Sequence, residues 1–403
     1  MLLAAAAAVP AAACDSSGSD SAAPGPATGC EPSPGVTADE VTLGLLYPDT
    51  GNAASLFNPF RAGVDARLGV ANAAGGVHGR KISYIWRDDE STPAVNLSSA
   101  RELVEHDQVF GILESSSAAA GSADYLHRTG VPVTGTSPEG IWSYYDNMFS
   151  YSHMIADGSA ISTWGDFVAE KGGARAVIAL STFSTASIDF ADELRVSLES
   201  AGVTVVGTVD ATGPIDLKDM GERIRASGAD TLVGTVTGAA FGQVVLAARA
   251  ADVPLKVILS PTGYDQGLLD LFRTILADVY VFVDYQPFEM DTPAHRTFLA
   301  AMTEYAPYLQ PPSKQAALAG WISTDMFLRG LEQAGPCPSR ERFIAGLRAV
   351  RDYAADGLLP EPLDLTESFG HVGRCYTFLQ VSPDGTRFQV VDPAPRCGRR
   401  LEN

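Results

Sequence analysis

The stretch VTLGLLYPDTGNAASLFNPFRAGVDARLGVANAAGGVHGRKISYIW, residues 41–86, decides the fold. It opens on an apolar run that predicts a β-strand, and the turn cluster PDTGN follows that run. Four apolar residues then recur at helical spacing, namely Phe60, Val64, Leu68 and Ala71. A glycine pair stops the helix, and the alternating run ISYIW predicts a second strand. Strand, helix and strand form one right-handed βαβ unit, and open α/β folds place their ligands at its first loop.

The same stretch resembles a known family. The pattern LGLLYPDTG, a helix, NAAGGVHGRKI and the acidic pair Asp88-Asp89 together resemble the amino-acid branch of the type I periplasmic binding proteins. Those proteins are extracytoplasmic solute receptors of ABC importers for branched-chain amino acids and related solutes. The resemblance continues to about residue 391. It implies an α/β fold with two Rossmann-like lobes, each a mostly parallel sheet flanked by helices, joined by three hinge crossings.

The length and periodicity of the chain agree with two lobes. A chain of 403 residues is too long for one ordinary domain, and the strand–helix alternation restarts after residue 153. Further strands are predicted at residues 109–113, 131–133, 176–180, 203–209, 231–236, 257–259, 279–283, 375–381 and 388–391. Further helices are predicted at residues 93–105, 188–201, 217–226, 241–251, 297–305, 314–334 and 340–350. We expect residues 37–152 with 285–374 to form the first lobe, and 153–284 with 375–403 the second.

The N-terminal segment predicts export and anchoring. Residues 1–13 form an apolar run rich in small residues that is too short to span a bilayer, which suggests a signal peptide. The sequence AAAC, ending at Cys14, resembles a lipobox, in which the cysteine is acylated. A plain secretory signal with a chance cysteine is the alternative. Residues 14–36 are rich in serine, glycine and proline and predict a flexible tether.

The first-lobe ligand site is expected where two predicted strands end. Ser115, Ser116 and Ser117 stand between a strand and a helix, where hydroxyls and free helix N–H groups can hold a carboxylate. A simple helix cap is the alternative, and the resemblance favours a serine pair that holds the ligand carboxylate. Gly135, Thr136 and Ser137 end the neighbouring strand, where the family has small and hydroxyl residues lining the cleft. A tight turn without ligand contact is the alternative at that place.

The second-lobe site is expected to contain aromatic residues. Phe183 and Tyr264 end predicted strands, and aromatics there usually close over a ligand in the family; a core position is the alternative for Phe183. The resemblance also implies a glutamate, before the return strand, that holds a ligand ammonium. Ala277 falls on that position without a gap, and Asp278 takes it with a shift of one residue. This departure argues against an ordinary zwitterionic amino acid as the ligand.

Cysteine and histidine usage argues for disulfides and against metal. Four cysteines follow Cys14, and an even number in an exported chain predicts two disulfides with three possible pairings. They are Cys30, Cys337, Cys375 and Cys397, of which we favour Cys375 with Cys397 because these two flank one predicted hairpin. Six histidines without ligand spacing predict no metal site, and no cofactor motif is present. No nucleophile motif indicates an enzyme.

These observations converge on a binding protein. The net charge of −20 and pI of about 4.6 argue against nucleic acid and anionic membrane surfaces as partners. The resemblance implies a receptor, held on the outer face of the cell membrane by a lipid, that delivers a small amino-acid-like or carboxylate solute to an ABC permease and its ATPase. A sensory binding protein of the same fold without a permease is the alternative.

Anchoring is the first testable expectation. Replacing Cys14 by alanine should release the protein from the membrane fraction, because the acylated cysteine would be its only membrane contact. Fractionation of cells followed by immunoblotting measures this. Retention of the Cys14→Ala protein at the membrane would rule out the lipoprotein interpretation.

Overall fold

A computed structural model describes residues 30–136, 138–156 and 158–402. The expected signal peptide, Cys14, most of the tether and Ser137 lie outside these residues. Within the described part of the chain, no helix combines the length and apolarity that crossing a membrane requires.

Strands and helices alternate along most of the chain. The strands are β1 (Glu40–Tyr47), β2 (Lys81–Asp88), β3 (Ile112–Glu114), β4 (Val133–Gly135), β5 (Met148–Phe149), β6 (Ser159–Ile161), β7 (Arg175–Leu180), β8 (Thr204–Asp210), β9 (Thr231–Gly234), β10 (Val257–Ser260), β11 (Tyr280–Val283), β12 (Cys375–Val381), β13 (Phe388–Val390), β14 (Arg396–Cys397) and β15 (Arg400–Glu402). The α-helices are α1 (Ala54–Phe57), α2 (Phe60–Ala73), α3 (Pro93–Arg101), α4 (Ala120–Arg128), α5 (Thr163–Glu170), α6 (Thr185–Ser200), α7 (Leu217–Ser227), α8 (Gly238–Ala250), α9 (Gln266–Phe272), α10 (Pro293–Tyr305), α11 (Gln315–Ala334) and α12 (Arg340–Arg348).

Two sheets with the same parallel core organise these elements. The first sheet has the order β2-β1-β3-β4-β5, and all its neighbouring strands are parallel. In the second sheet the parallel strands follow the matching order β8-β7-β9-β10-β11, and β12 and β13 extend it antiparallel beyond β11. The expected fold class, two helix-flanked and mostly parallel sheets, is therefore confirmed.

Helices cover both faces of the first sheet. The helices α2 and α11 pack on one face, and α3 and α4 pack on the other. Two glycines permit the close approach of α2 and α11. A Cβ at Gly63 would lie 1.8 Å from the Ala317 carbonyl oxygen, and one at Gly320 would lie 2.0 Å from the Phe60 carbonyl oxygen. Because each helix supplies one glycine, the two backbones meet without side chains between them.

Helices also cover both faces of the second sheet. Aromatic rings of α5 and α6 pack against β11 and β12, and α7 and α8 cover the opposite face. Trp164 lies at the centre of the aromatic face, with its ring centroid 5.2 Å from Phe190 and 5.7 Å from Phe282. This buried cluster holds the return strand β11 in place against the helices.

Some elements differ from the sequence-based prediction. The helix expected at residues 93–105 is α3 followed by a π-helical turn at Glu102–His106. The strand expected from residue 109 begins at Ile112, and the guanidinium of Arg340 donates to the carbonyl oxygens of Val109 and Phe110 before it. The predicted elements lack α1, α5 and α9, and they lack the pairing of β6 with β15. That pairing joins segments more than 200 residues apart, so no local pattern announces it.

Two disulfides join the four cysteines of the described chain. One links Cys375 to Cys397, the pairing favoured from the sequence, and it joins β12 to β14. The other links Cys30 to Cys337, in the segment between α11 and α12. The start of the described chain is thereby tied to the helices of the first sheet.

The chain passes between the two sheets three times. We call these passages the crossings, and they run through residues 151–153, 284–286 and 372–374. The first and third are joined directly, because the Gly373 N–H donates to the His153 carbonyl oxygen at 2.8 Å. Three adjacent passages make one connection between two otherwise separate sheets.

The contact between α2 and α11 generates a stability prediction. Replacing Gly320 by alanine places a methyl group against the Phe60 carbonyl and forces the helices apart. We expect the free energy of unfolding to fall by about 1–3 kcal/mol, as in other overpacked cores. Urea denaturation measures this. Gln315→Ala, an exposed change on the same helix, should stay within about 0.5 kcal/mol of the parent, and equal effects of the two changes would contradict the prediction.

Candidate ligand-binding cleft

The strand order of each sheet creates a natural ligand position. Where the order of parallel strands reverses, the loops after two neighbouring strands leave in opposite directions and a crevice opens between them. In the first sheet this reversal lies between β1 and β3, and in the second it lies between β7 and β9. The loops that begin at Pro48 and Ser115 border the first crevice, and those that begin at Ser181 and Thr235 border the second.

The three serines after β3 lie at the first crevice and differ in environment. Ser115 is buried and donates its backbone N–H to the Leu46 carbonyl oxygen at 3.1 Å. The Ser116 hydroxyl is buried and accepts the Ala118 N–H at 3.0 Å. Ser116 therefore stabilises the turn before α4 but does not cap the helix, whose N-cap is Ala119 without a side-chain bond. An oxygen that accepts one bond can still donate its own proton. Ser117 is exposed.

The end of β4 lies beside these serines. Gly135 pairs with Glu114 in register, and a Cβ at Gly135 would lie 1.8 Å from the Glu114 carbonyl oxygen. The half-buried Thr136 donates its N–H to the same oxygen at 3.1 Å. Glycine thus allows the two strand ends to touch, and Thr136 comes to the same edge as the serines.

Phe183 lies in the loop between β7 and α6, at the second crevice. Its side chain is 90% exposed, so it is not a core residue. The adjacent Ser184 caps α6 by accepting the Ser187 N–H at 3.2 Å, which holds the loop while leaving the ring in solvent. An exposed phenylalanine at a strand end offers apolar surface to a molecule entering the crevice.

Tyr264 has a different environment from Phe183. Its hydroxyl donates to a carboxylate oxygen of Glu289 at 2.6 Å and accepts the Phe288 N–H at 2.9 Å. Burial, together with the charge of Glu289, raises the pKa of Tyr264. The ring packs against Phe388 and Tyr285. Tyr264 therefore supports the segment after the second crossing, and its polar atom already has partners.

Asp278 is not brought together with the other expected site residues. It is exposed and precedes β11, whose Tyr280 pairs with Leu259 of β10. Two residues before Tyr280, Asp278 is level with Val257 at the amino end of the parallel strands β10 and β11. The crevice lies at the carboxyl ends of these strands, so Asp278 is at the opposite edge of the sheet. Thr262 lies two residues beyond the end of β10 at the crevice edge, and its hydroxyl donates to the Val236 carbonyl oxygen at 2.6 Å.

Sequence analysis missed a pair of matched aspartates that hold the crevice loops. Asp88 ends β2 and accepts the Thr50 hydroxyl at 2.6 Å, from the loop after β1. Asp210 ends β8 and accepts the Thr182 hydroxyl at 2.9 Å, from the loop after β7. In each sheet an aspartate on the outer strand thus fixes the loop of the inner strand. The sequence did contain a signal for this arrangement. An aspartate ends β2 and β8, and a threonine follows β1 and β7 by three and two residues.

The pKa values of both aspartates follow from these bonds. Burial acts to raise the pKa of Asp88, but the Thr50 hydroxyl and three backbone N–H groups outweigh it and lower the pKa. The Thr212 hydroxyl is the main cause that lowers the pKa of Asp210, and Thr182 adds to it. Both carboxylates are therefore ionised at neutral pH, and both are occupied by donors of their own sheet.

A buried polar network lies behind the serines. Glu114 is the last residue of β3 and is fully buried. The Asn96 amide donates to Glu114 at 2.8 Å and to the buried Asp89 at 3.0 Å. Burial raises the pKa of Glu114 to about 8, and the charge of Asp89 acts in the same direction. Glu114 is therefore mostly protonated at neutral pH and does not offer a negative charge to the crevice.

Metal ligands are poorly represented in the described residues. Their only cluster with suitable geometry is Glu361, Cys375 and Cys397. Both of its sulfurs belong to one disulfide, so neither is a thiolate that could bind a metal ion.

The sequence and the fold together match one family. The periplasmic binding protein profile matches residues 40–386. The chain belongs to the periplasmic binding protein family. Among its curated relatives is a Leu/Ile/Val-binding protein homolog of Brucella melitensis, 24% identical over 198 residues, which are 48% of this chain and 53% of that protein. The chain thus spans about half the length of this relative in the matched region.

Solved periplasmic binding proteins share the fold. A solute-binding protein of an ABC transporter from R. palustris, in complex with 4-hydroxybenzoate, has a TM-score of 0.70 and 19% identity, covering 90% of this chain and 96% of that one. The branched-chain amino acid transporter substrate binding protein of Streptococcus pneumoniae, in complex with isoleucine, has a TM-score of 0.71 and 18% identity, covering 88% and 100%. At these identities the likeness concerns the fold.

The protonation of Glu114 generates a pH prediction. The pKa of Glu114 is 4.5 in the unfolded chain and about 8 in the folded protein. Its contribution to the free energy of unfolding is therefore fully present below pH 4.5 and is lost as the pH rises to about 8. Relative to Glu114→Gln, the free energy of unfolding of the parent should fall by about 4 kcal/mol over this window. Urea denaturation of both proteins at pH 5, 6, 7 and 8 measures the difference. Parallel pH profiles would contradict the assignment of a neutral Glu114.

Proposed function

We propose that this periplasmic binding protein is an extracytoplasmic receptor that captures a small carboxylate solute between its two sheets and delivers it to an ABC importer. The two sheets would belong to two lobes, residues 37–152 with 285–374 and residues 153–284 with 375–403. Cys14 would anchor the protein outside the cell membrane, with the tether between the lipid and the first lobe. The Cys30–Cys337 disulfide supports this arrangement, since it ties the end of the tether to the helices of the first sheet.

The observation that carries the proposal is the set of donors at the first crevice. Ser115, Ser116 and Ser117 lie between β3 and α4, and Thr136 lies at the end of the adjacent strand β4. Hydroxyl groups, loop N–H groups and the positive end of a helix dipole all stabilise an anion. Glu114, the last residue of β3, is mostly neutral at pH 7, so its carboxyl group does not repel an anion that enters the crevice.

The chemistry of the second crevice favours a solute without an ammonium group. The position expected to hold an ammonium carries Ala277 and Asp278, and both precede β11 at the far edge of the sheet. Thr262 follows β10 at the crevice edge, and a hydroxyl neutralises no positive charge. The exposed Phe183 adds an apolar surface. An alkyl or aromatic carboxylate fits this combination better than an ordinary amino acid, and the relatives include proteins crystallised with either class.

Ligand preference tests the proposal. In titration calorimetry at pH 7 we expect 4-methylpentanoate, the deaminated analogue of leucine, and benzoate to bind more tightly than L-leucine. The physical reason is that the leucine ammonium would lose its hydration without gaining a carboxylate partner. If the parent binds leucine tightly and the Asp278→Asn variant does not, Asp278 holds the ligand ammonium instead. Recovery of the bound solute unchanged is expected of a receptor, and its conversion would indicate an enzyme.

Substitutions at the first crevice test the site itself. The double change Ser117→Ala with Thr136→Val removes two donors and should weaken binding of the preferred carboxylate by about tenfold or more, at roughly 1 kcal/mol for each hydrogen bond. Ser98→Ala, an exposed serine on α3, is the matched control and should leave the affinity unchanged. Equal affinities of the parent and the double variant would place the carboxylate elsewhere.

Transport is tested separately from binding. Uptake of the radiolabelled solute by cells should be lost on deletion of the gene and restored by the parent chain but not by the double variant. Normal uptake by cells lacking the gene, with binding intact in vitro, would favour the sensory receptor.

A further inference from the structure

A cavity of about 470 Å³ lies beside the three crossings, away from the candidate cleft. Each crossing contributes to its lining: Tyr151 and His153 from the first, Asp284 from the second and Arg374 from the third. None of the residues assigned to the two crevices lines it. Its size is within the range of small-molecule sites in proteins.

The inner part of the cavity contains buried polar atoms without partners. Asp284 is partly buried, but its Oδ2 atom is out of contact with solvent and has no hydrogen-bond partner among the described residues. The same holds for the hydroxyl of Tyr376, which is fully buried. A buried polar atom without a hydrogen bond costs about 1–3 kcal/mol, so a shift of the lining that brings a ligand to these atoms would gain that energy.

Asp284 offers a negative charge to this inner part. Burial raises the pKa of Asp284 to about 6, and the Ser152 hydroxyl acts against that rise. The group is therefore mostly ionised at pH 7. A buried carboxylate with one unpartnered oxygen needs a cationic N–H donor more than any other group.

The outer part of the cavity is lined by arginines. Arg374, Arg399 and Arg400 are exposed there. Three acidic residues also line it. Glu361 lies 3.4 Å from Arg374, and Asp364 pairs with Arg351 at 2.6 Å; the third is Glu367, whose carbonyl oxygen accepts from Arg400. Two of the three acidic side chains are thus already paired, and Arg399 and Arg400 remain placed to meet an anion.

We propose that this cavity is a second binding site, specific for a small zwitterion such as an amino acid. The ligand amino group meets Asp284 at the inner end, and its carboxylate meets Arg399 and Arg400 at the outer end. Both charges of the ligand are then paired with opposite charges, and the hydroxyl of Tyr376 gains a partner. The affinity depends on the arrangement of the two sheets, because residues of all three crossings line the site.

The site is the opposite of the candidate cleft in its charge requirements. The cleft offers donors to an anion and has no fixed carboxylate for an ammonium. The cavity offers both a carboxylate and guanidinium groups. The two sites therefore select different solutes, and a binding experiment can separate them.

L-alanine is a suitable probe, because its small side chain tests the two charges with little else. Titration calorimetry of the full chain at pH 7 should detect one molecule of L-alanine per chain. Ethylamine, and propionate in the cleft variant Ser117→Ala with Thr136→Val, each carry one of the two charges and should bind at least about tenfold more weakly than L-alanine. If propionate binds that variant as tightly as L-alanine does, Asp284 does not recognise the amino group and the assignment of a zwitterion is wrong.

Two substitutions test the location. Asp284→Asn keeps the size of the side chain and removes its charge, and Arg399→Glu reverses a charge at an exposed position. Each should weaken L-alanine binding by about tenfold or more, while Arg223→Glu, an exposed reversal on α7, should not. The cleft variant Ser117→Ala with Thr136→Val should bind L-alanine as the parent does.

The remaining outcomes overturn the proposal. Thermal unfolding can verify that the Arg399→Glu protein is folded. If this folded variant still binds L-alanine as tightly as the parent, the cavity is excluded, even if Asp284→Asn fails to fold. Loss of L-alanine binding in the cleft variant would place the amino acid in the cleft. Absence of any heat of binding with the parent chain would also refute the site.

Discussion

Parallel strand pairing is the constraint on which this molecule depends. A parallel strand must be followed by a crossover on one face of the sheet, so every strand of the core ends at the same edge. In both sheets the order of strands reverses once, and the loops at that reversal leave in opposite directions. The hydroxyl-rich loop after β3 and the loop carrying Phe183 each border the crevice of their own sheet for this reason, although Phe183 follows β7, which is the counterpart of β1. The candidate cleft is thus a consequence of the topology, and the side chains supply only its chemistry.

The two sheets hold their crevice loops by the same physical means. An aspartate at the end of the outer strand, Asp88 or Asp210, accepts a threonine hydroxyl and at least one backbone N–H from the loop of the inner strand. An ionised carboxylate that accepts several hydrogen bonds is a strong and directional constraint. The loops are therefore preorganised before any solute arrives, which reduces the entropy lost on binding. Phe183 remains outside this network and is the part of the cleft with the most freedom.

The connection between the sheets is polar, in contrast to their cores. Arg348 lies between the rings of Phe149 and Phe369, 4.1 and 4.3 Å from their centroids, and donates to carbonyl oxygens at the end of the first sheet. Burial lowers the pKa of Arg348 to about 10, and burial also lowers that of the nearby His153 to about 4. Together with Asp284, these groups place charge and dipoles where three chain segments meet.

The sequence alone determined the fold class and the position of the serine loop after β3, and tertiary structure decided the surroundings of the other candidate residues. Alternation and helical spacing are local properties, so the βαβ units, the serine loop after β3 and the hairpin closed by Cys375 and Cys397 could be predicted from nearby residues. The side of the sheet on which Asp278 lies, the internal bonding of Tyr264 and the exposure of Phe183 depend on the register of distant strands, and no local pattern carries that information. The same is true of the raised pKa of Glu114 and of the cavity at the crossings, because burial is a property of the packed whole and a charge acquires its strength only from what surrounds it.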